Sequence, residues 1–177
     1  RFTDGETPID NWTTAQKNLG FTSTTIEGEE VAHCYGKNGY LKLGDDKGHG
    51  ADLISPYTNT LRSDSLLMVS FRAVAFTDYM TGARDDNKIT VEVPRIRDFA
   101  QSEKTTIDLE AGYYDISSEE FPEDMWEGHD FLVFVAGTKA NPITANTRVR
   151  IICGSLTQNS AVNNRIYLDN FYIRRLQ

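Results

Sequence analysis

Five aromatic residues in loop-like surroundings, Tyr57, Tyr79, Tyr113, Tyr114 and Trp126, are the side chains here best suited to recognition chemistry. A flat ring gives a sugar's C–H face something to stack on, and neighbouring Asp, Asn or Arg side chains then fix orientation by hydrogen bonds. Tyr79 adjoins the polar stretch Arg84-Asp85-Asp86-Asn87, and Trp126 follows the acidic turn Phe121-Pro122-Glu123-Asp124-Met125. The expected ligand contacts are therefore Tyr79, Arg84, Asp85, Asn87 and Trp126. A structural assignment competes with this one, because large aromatics near strand ends also cap cores. Trp12 is expected to do that.

Signatures of catalysis are sparse. His33, His49 and His129 stand apart, with no zinc spacing such as H-E-x-x-H, and His49 in Gly48-His49-Gly50 reads as a surface loop residue. Gly48-x-Gly50 lacks the third glycine and the following helix of a dinucleotide loop, and no Gly-x-Ser-x-Gly elbow occurs. Asp45-Asp46 and Asp85-Asp86-Asn87 do not fit a calcium-binding EF loop and read as solvated turns. Glu119, Glu120, Glu123, Asp124 and Glu127 could supply the two carboxylates a glycosidase needs, although a crowded solvated turn explains them more simply. The expectation is a protein that is not an enzyme, with glycoside hydrolysis kept as the remote alternative.

The elements that must position these residues repeat with period two. Leu67, Val69, Phe71, Ala73 and Ala75 share one strand face; Ile89, Val91 and Val93 alternate with Lys88, Thr90 and Glu92. Thr105–Leu109 and Thr147–Cys153 continue the pattern, with Val149, Ile151 and Cys153 expected inward. Phe131–Val135 is apolar on both faces, which predicts a place near the middle of a sheet. Turn-rich segments at 44–48, 81–87 and 154–164 separate the runs, and Ser117–Glu127 is the one helix-tolerant piece, limited by Pro122.

A chain of 177 residues with 39% hydrophobic and 25% charged residues suits one globular domain spanning 1–177, not a disordered chain. The net charge of −8 and the absence of a basic stripe argue against nucleic acid. No apolar run reaches membrane-spanning length. The start at Arg1 rather than Met suggests a processed chain, with any targeting segment or lipid anchor lying upstream. Cys34 and Cys153 sit in strand-like runs, either as buried thiols or as a bridge between neighbouring strands.

The final run, Arg165-Ile166-Tyr167-Leu168-Asp169-Asn170-Phe171-Tyr172-Ile173, is a strand broken by an Asp-Asn pair of low strand propensity. Together with Phe2, Asp4, Gly5 and Trp12 at the start, and Gly39-Tyr40-Leu41-Lys42-Leu43-Gly44 followed by Leu53-Ile54-Ser55-Pro56, it carries a resemblance. The chain resembles the MAM-like and cleaved-adhesin-type jelly rolls of bacterial surface proteins, which are similar in shape to carbohydrate-binding modules. The resemblance implies an all-β jelly-roll sandwich of two antiparallel sheets with first and last strands adjacent. It also implies an extracellular or cell-surface binding or adhesion module, its partner a glycan, or else a surface protein served by a structural or interaction domain. In such folds one structural calcium ion often joins the chain ends, and Asp4 or Glu6 with Asp169 are the matching donors here. The family places its acid directly after the opening Phe, where this chain has Thr3. Asp169 and Asn170 capping a strand bend through backbone hydrogen bonds is the alternative.

Overall fold

The computed structural model describes residues 7–176 apart from 38, 59–65, 95–98, 100–103, 114–127, 140–141 and 158–160. Among the described residues the chain forms β1 (Thr7–Pro8), β2 (Cys34–Lys37), β3 (Tyr40–Leu43), β4 (Ala51–Ile54), β5 (Leu66–Ala75) and β6 (Lys88–Pro94). It continues with β7 (Lys104–Glu110), β8 (Gly112–Tyr113), β9 (His129–Ala136), β10 (Arg150–Cys153) and β11 (Ile166–Arg175). One sheet runs β1-β2-β3-β11-β5, with β9 and β8 sharing the far edge of β5; the other runs β4-β10-β6-β7. All pairs are antiparallel except the short β5/β8 contact. The two sheets face each other as a jelly-roll β-sandwich.

The alternation in the sequence is what fills the space between them. Leu67, Val69, Phe71, Ala73 and Ala75 of β5 are buried together with Ile89, Val91 and Val93 of β6 and Ile151 and Cys153 of β10. Each large side chain so buried contributes roughly 1.5–3 kcal/mol. Val149 is buried as well, one residue ahead of β10, where Ser55 bonds both its N–H and its carbonyl. Cys34 and Cys153 are buried free thiols, and burial pushes both well above the ordinary thiol range.

The opening residues 2–6, expected beside the last strand, lie outside the described residues; β1, which follows them, pairs with β2. Over Ile166–Leu168 β11 lies between β3 and β5, and over Asp169–Arg175 its pairing among the described residues is with β5. One expectation changes: among the described residues β9 pairs with β5 alone, placing it at an edge rather than mid-sheet. Its outward residues Leu132 and Phe134 face solvent. A short helix, α1 (Thr14–Lys17), sits where none was read. Its signal is the capping box Thr13…Gln16, in which each side chain bonds the other's backbone. The segment 117–127 lies outside the described residues.

Trp12 takes the core-capping place expected of it, mostly buried, with Nε1 donating to the Thr7 carbonyl at 3.1 Å. Gly36 beneath its ring has no room for a Cβ, which would fall 2.7 Å from Nε1.

Candidate functional site

The polar loop beside Tyr79 divides into exposed and structural members. Tyr79 is 43% exposed, and Arg84 is exposed with its guanidinium 4.6 Å above the Tyr113 ring. Asp85 is buried: its carboxylate accepts the Arg165 backbone N–H at 2.9 Å and the Arg165 guanidinium at 2.7 and 3.1 Å. Asn87 donates to the Ala111 carbonyl at 2.7 Å. The structure thus brings Tyr79, Arg84, Asp85 and Asn87 into one region, yet uses the last two to hold the loop. The solvated-turn reading of Asp85 is corrected accordingly. Trp126 lies outside the described residues.

Asp4 and Glu6 likewise lie outside the described residues. Asp169 is placed opposite Arg72 in the register, and its Oδ1 accepts the Asn170 N–H at 2.7 Å. One carboxylate does not make a calcium site, which needs six to eight oxygens. The described residues alone therefore do not build one.

The Asp-Asn pair does have a mechanical role. Between Asp169 and Tyr172 the pairing with β5 slips by a β-bulge, and Asn170 adopts φ 50°, a left-handed conformation that Asn tolerates. One extra residue reverses the alternation. Before the bulge Ile166 and Leu168 point into the core; after it Phe171 and Ile173 pack there and Tyr172 turns outward.

Tyr172 thereby joins a face that sequence reading missed. Cross-strand rows on the outer side of the larger sheet are Asp130–Arg72–Asp169, Leu132–Ser70–Tyr172 and Phe134–Met68–Arg174. Leu132, Phe134 and Tyr172 are 56%, 51% and 51% exposed. Arg72 grips Asp130 through two bonds of 2.9 and 3.2 Å, which hold the Asp130 carboxyl below its ordinary range. Arg174 lies 5.5 Å above the Tyr172 ring. Two half-exposed rings framed by oriented charges are suited to contact a ligand with both an apolar face and hydroxyls. A cleft of about 720 Å³ lies on the inner side of the same bulge, lined by Trp12, Phe21, Leu41, Phe171, Asp169 and Asn170 among others.

The histidines are not isolated in space, and His49 is not a surface residue. His33 and His49 are both buried, and their rings stack at 4.1 Å, 2° from parallel. Asp45 is buried beside them, while Asp46 next to it is exposed. The Asp45 Oδ2 atom is 2.6 Å from His49 Nδ1 and 3.3 Å from His33 Nδ1. Burial would raise the Asp45 carboxyl, but bonds from the His49 ring and from the Lys47 and His49 N–H groups outweigh it and leave it lowered. Burial lowers His33 below its ordinary value despite the nearby Asp45 charge. Glycines make the burial of His49 possible: Gly48 takes φ +79°, and Gly50 presses against the Ser155 backbone.

No family model matches the sequence, and no curated protein matches it. Similar solved structures exist. The K1 cleaved adhesin domain of Lys-gingipain from Porphyromonas gingivalis W83 aligns over 96% of both chains, with TM-score 0.50 and 12% identity. The N-terminal cellulose-binding domain of β-1,4-glucanase C from Cellulomonas fimi aligns over 89% of both, with TM-score 0.46 and 12% identity. At such identity the likeness is one of fold, and the fold is the cleaved-adhesin-type β-sandwich that the sequence resembles.

Proposed function

We propose that this chain is a non-catalytic binding module of the extracellular or cell-surface kind, and that it takes a glycan on the outer face of its larger sheet. The observation that carries this reading is the display of Phe134 and Tyr172, both half-exposed on one face. Two strands apart and two residues along, their Cα positions are separated by about 12 Å, a span that suits two rings of one glycan with an intervening sugar between them. The Arg72–Asp130 pair, Asp169 and Arg174 border the rings with groups that can bond hydroxyls. Tyr79, Arg84 and Trp126 are carried as further contacts, with Asp85 and Asn87 positioning the loop. Calcium held by Asp169 with Asp4 or Glu6 is part of the proposal. It predicts a melting point that falls with chelator and recovers with added Ca²⁺.

A protein partner is the second reading. Leu132 and Phe134 favour it, as does the outer edge of β9, for which no partner strand occurs among the described residues. Electrophoresis through gels containing plant, host or microbial polysaccharides separates the two. Retardation by at least one polysaccharide is expected, weakened about tenfold in Tyr172→Ala, the size of one aromatic contact. Unretarded migration throughout would favour the protein partner. New reducing ends in the retarding polysaccharide would overturn the non-catalytic assignment.

A further inference from the structure

We propose that Glu29, His33 and His49 form a binding site for a divalent transition-metal ion of the zinc type. Their ligand atoms lie within 4.8 Å of one another, brought together from a turn, the lead into β2 and the loop between β3 and β4. His33 Nε2 is 3.5 Å from Glu29 Oε2, and His49 Nε2 is 3.2 Å from Glu29 Oε1. At the opposite edge of the stack both Nδ1 atoms face the single oxygen Asp45 Oδ2.

One arrangement of protons suits a metal ion between the Nε2 edges. An Nδ1–H on His49 satisfies Asp45 at 2.6 Å and leaves that ring's Nε2 a lone pair; His33 Nδ1 lies 2.8 Å from the Tyr35 hydroxyl, which can accept from an Nδ1–H and so free the His33 Nε2 for a metal as well. In that tautomer both lone pairs face the Glu29 carboxylate, and a positive ion between them turns a repulsion into coordination. His33 Nε2 is buried and has no hydrogen-bond partner, an orphan aimed into this gap. Two imidazole nitrogens and a carboxylate oxygen are the donors zinc accepts, and hard-oxygen calcium does not favour them. Asp45 behind the rings is the outer carboxylate that fixes tautomer and ring orientation in histidine–zinc sites.

The rings, now parallel, must tilt so that their Nε2 edges converge. Glu29 can follow, since its side chain is 35% exposed. Three protein donors leave a fourth position for water. The ion would fasten the segment 27–33, which is otherwise irregular, to the loop that carries His49.

The test uses the intact chain, stripped with chelator, dialysed against Zn²⁺ and analysed for bound metal. One Zn²⁺ per chain is expected, raising the melting temperature by about 5–10 °C at a hundredfold excess over Kd. Replacement by Co²⁺ is expected to give the visible absorption of a four-coordinate ion. Glu29→Ala changes an accessible side chain on a turn and should weaken Zn²⁺ binding at least tenfold while the chain stays folded. His49→Gln should weaken it further, and if that buried change prevents folding, Glu29→Ala carries the result. Sub-stoichiometric Zn²⁺, or binding that Glu29→Ala leaves intact, would overturn the proposal. So would a melting shift that Ca²⁺ reproduces and Glu29→Ala does not remove.

Discussion

Asp85→Ala is expected to cost the fold about 3–5 kcal/mol, because it strands a largely buried guanidinium rather than removing a surface charge. Arg165 has only 18% of its side chain exposed and lies 3.6 Å over the Phe76 ring. Among the described residues its guanidinium bonds Asp85, through Nε and Nη2. The Asp85 carbonyl also accepts the Tyr113 hydroxyl, so the residue ties the loop, the end of β5 and the start of β11 together. For a domain of this size the melting temperature should fall by about 10 °C. Asp85→Asn, which keeps the shape and one acceptor, should fall less. A change of under about 2 °C in Asp85→Ala would show that Arg165 finds water, and would return Asp85 to the ligand-contact role the sequence suggested.

Phe71→Ala should be comparably damaging, at about 3–5 kcal/mol, through the void left between the sheets. The ring is 1% exposed and stacks on Phe131 at 5.2 Å, joining β5 to β9. It also lies in β5 opposite the bulged stretch of β11. Urea unfolding should show a lower midpoint with the slope unchanged. An effect below about 1 kcal/mol would mean that the two sheets do not share one close-packed core.

Much of the core was legible because it obeys a rule of two. The faces of β5 and β6 could be read residue by residue, and so could Val149, Ile151 and Cys153. What was hidden falls where that rule breaks. The bulge at Asp169–Asn170 adds one residue and sends Tyr172 outward, and nothing local marks it except an Asp-Asn pair in a strand. Phe131–Val135 looked central because both faces are apolar. Among the described residues it pairs with β5 alone, and the apolar side chains of its second face are displayed to solvent instead of being covered.

The histidine cluster was illegible for a different reason. Glu29, His33 and His49 have no local spacing that signals convergence, and only the antiparallel pairing of β2 with β3 folds the loop after β3 back beside His33. Asp45 was read as solvated from its turn composition, and the buried rings beside it supply the partners that composition does not show. The loop of Tyr79, Arg84, Asp85 and Asn87 was grouped by proximity in sequence. Its division into exposed and buried members needed the position of Arg165, 80 residues later.

A glycan array probed with the wild-type chain, Tyr172→Ala/Phe134→Ala and Tyr79→Ala shows whether the outer face of the larger sheet holds a glycan. The wild type is expected to bind a defined set of glycans, with binding largely kept in Tyr79→Ala and lost in the double variant. Silence of the wild type on every glycan, or undiminished binding by a folded double variant, would contradict a glycan site on that face.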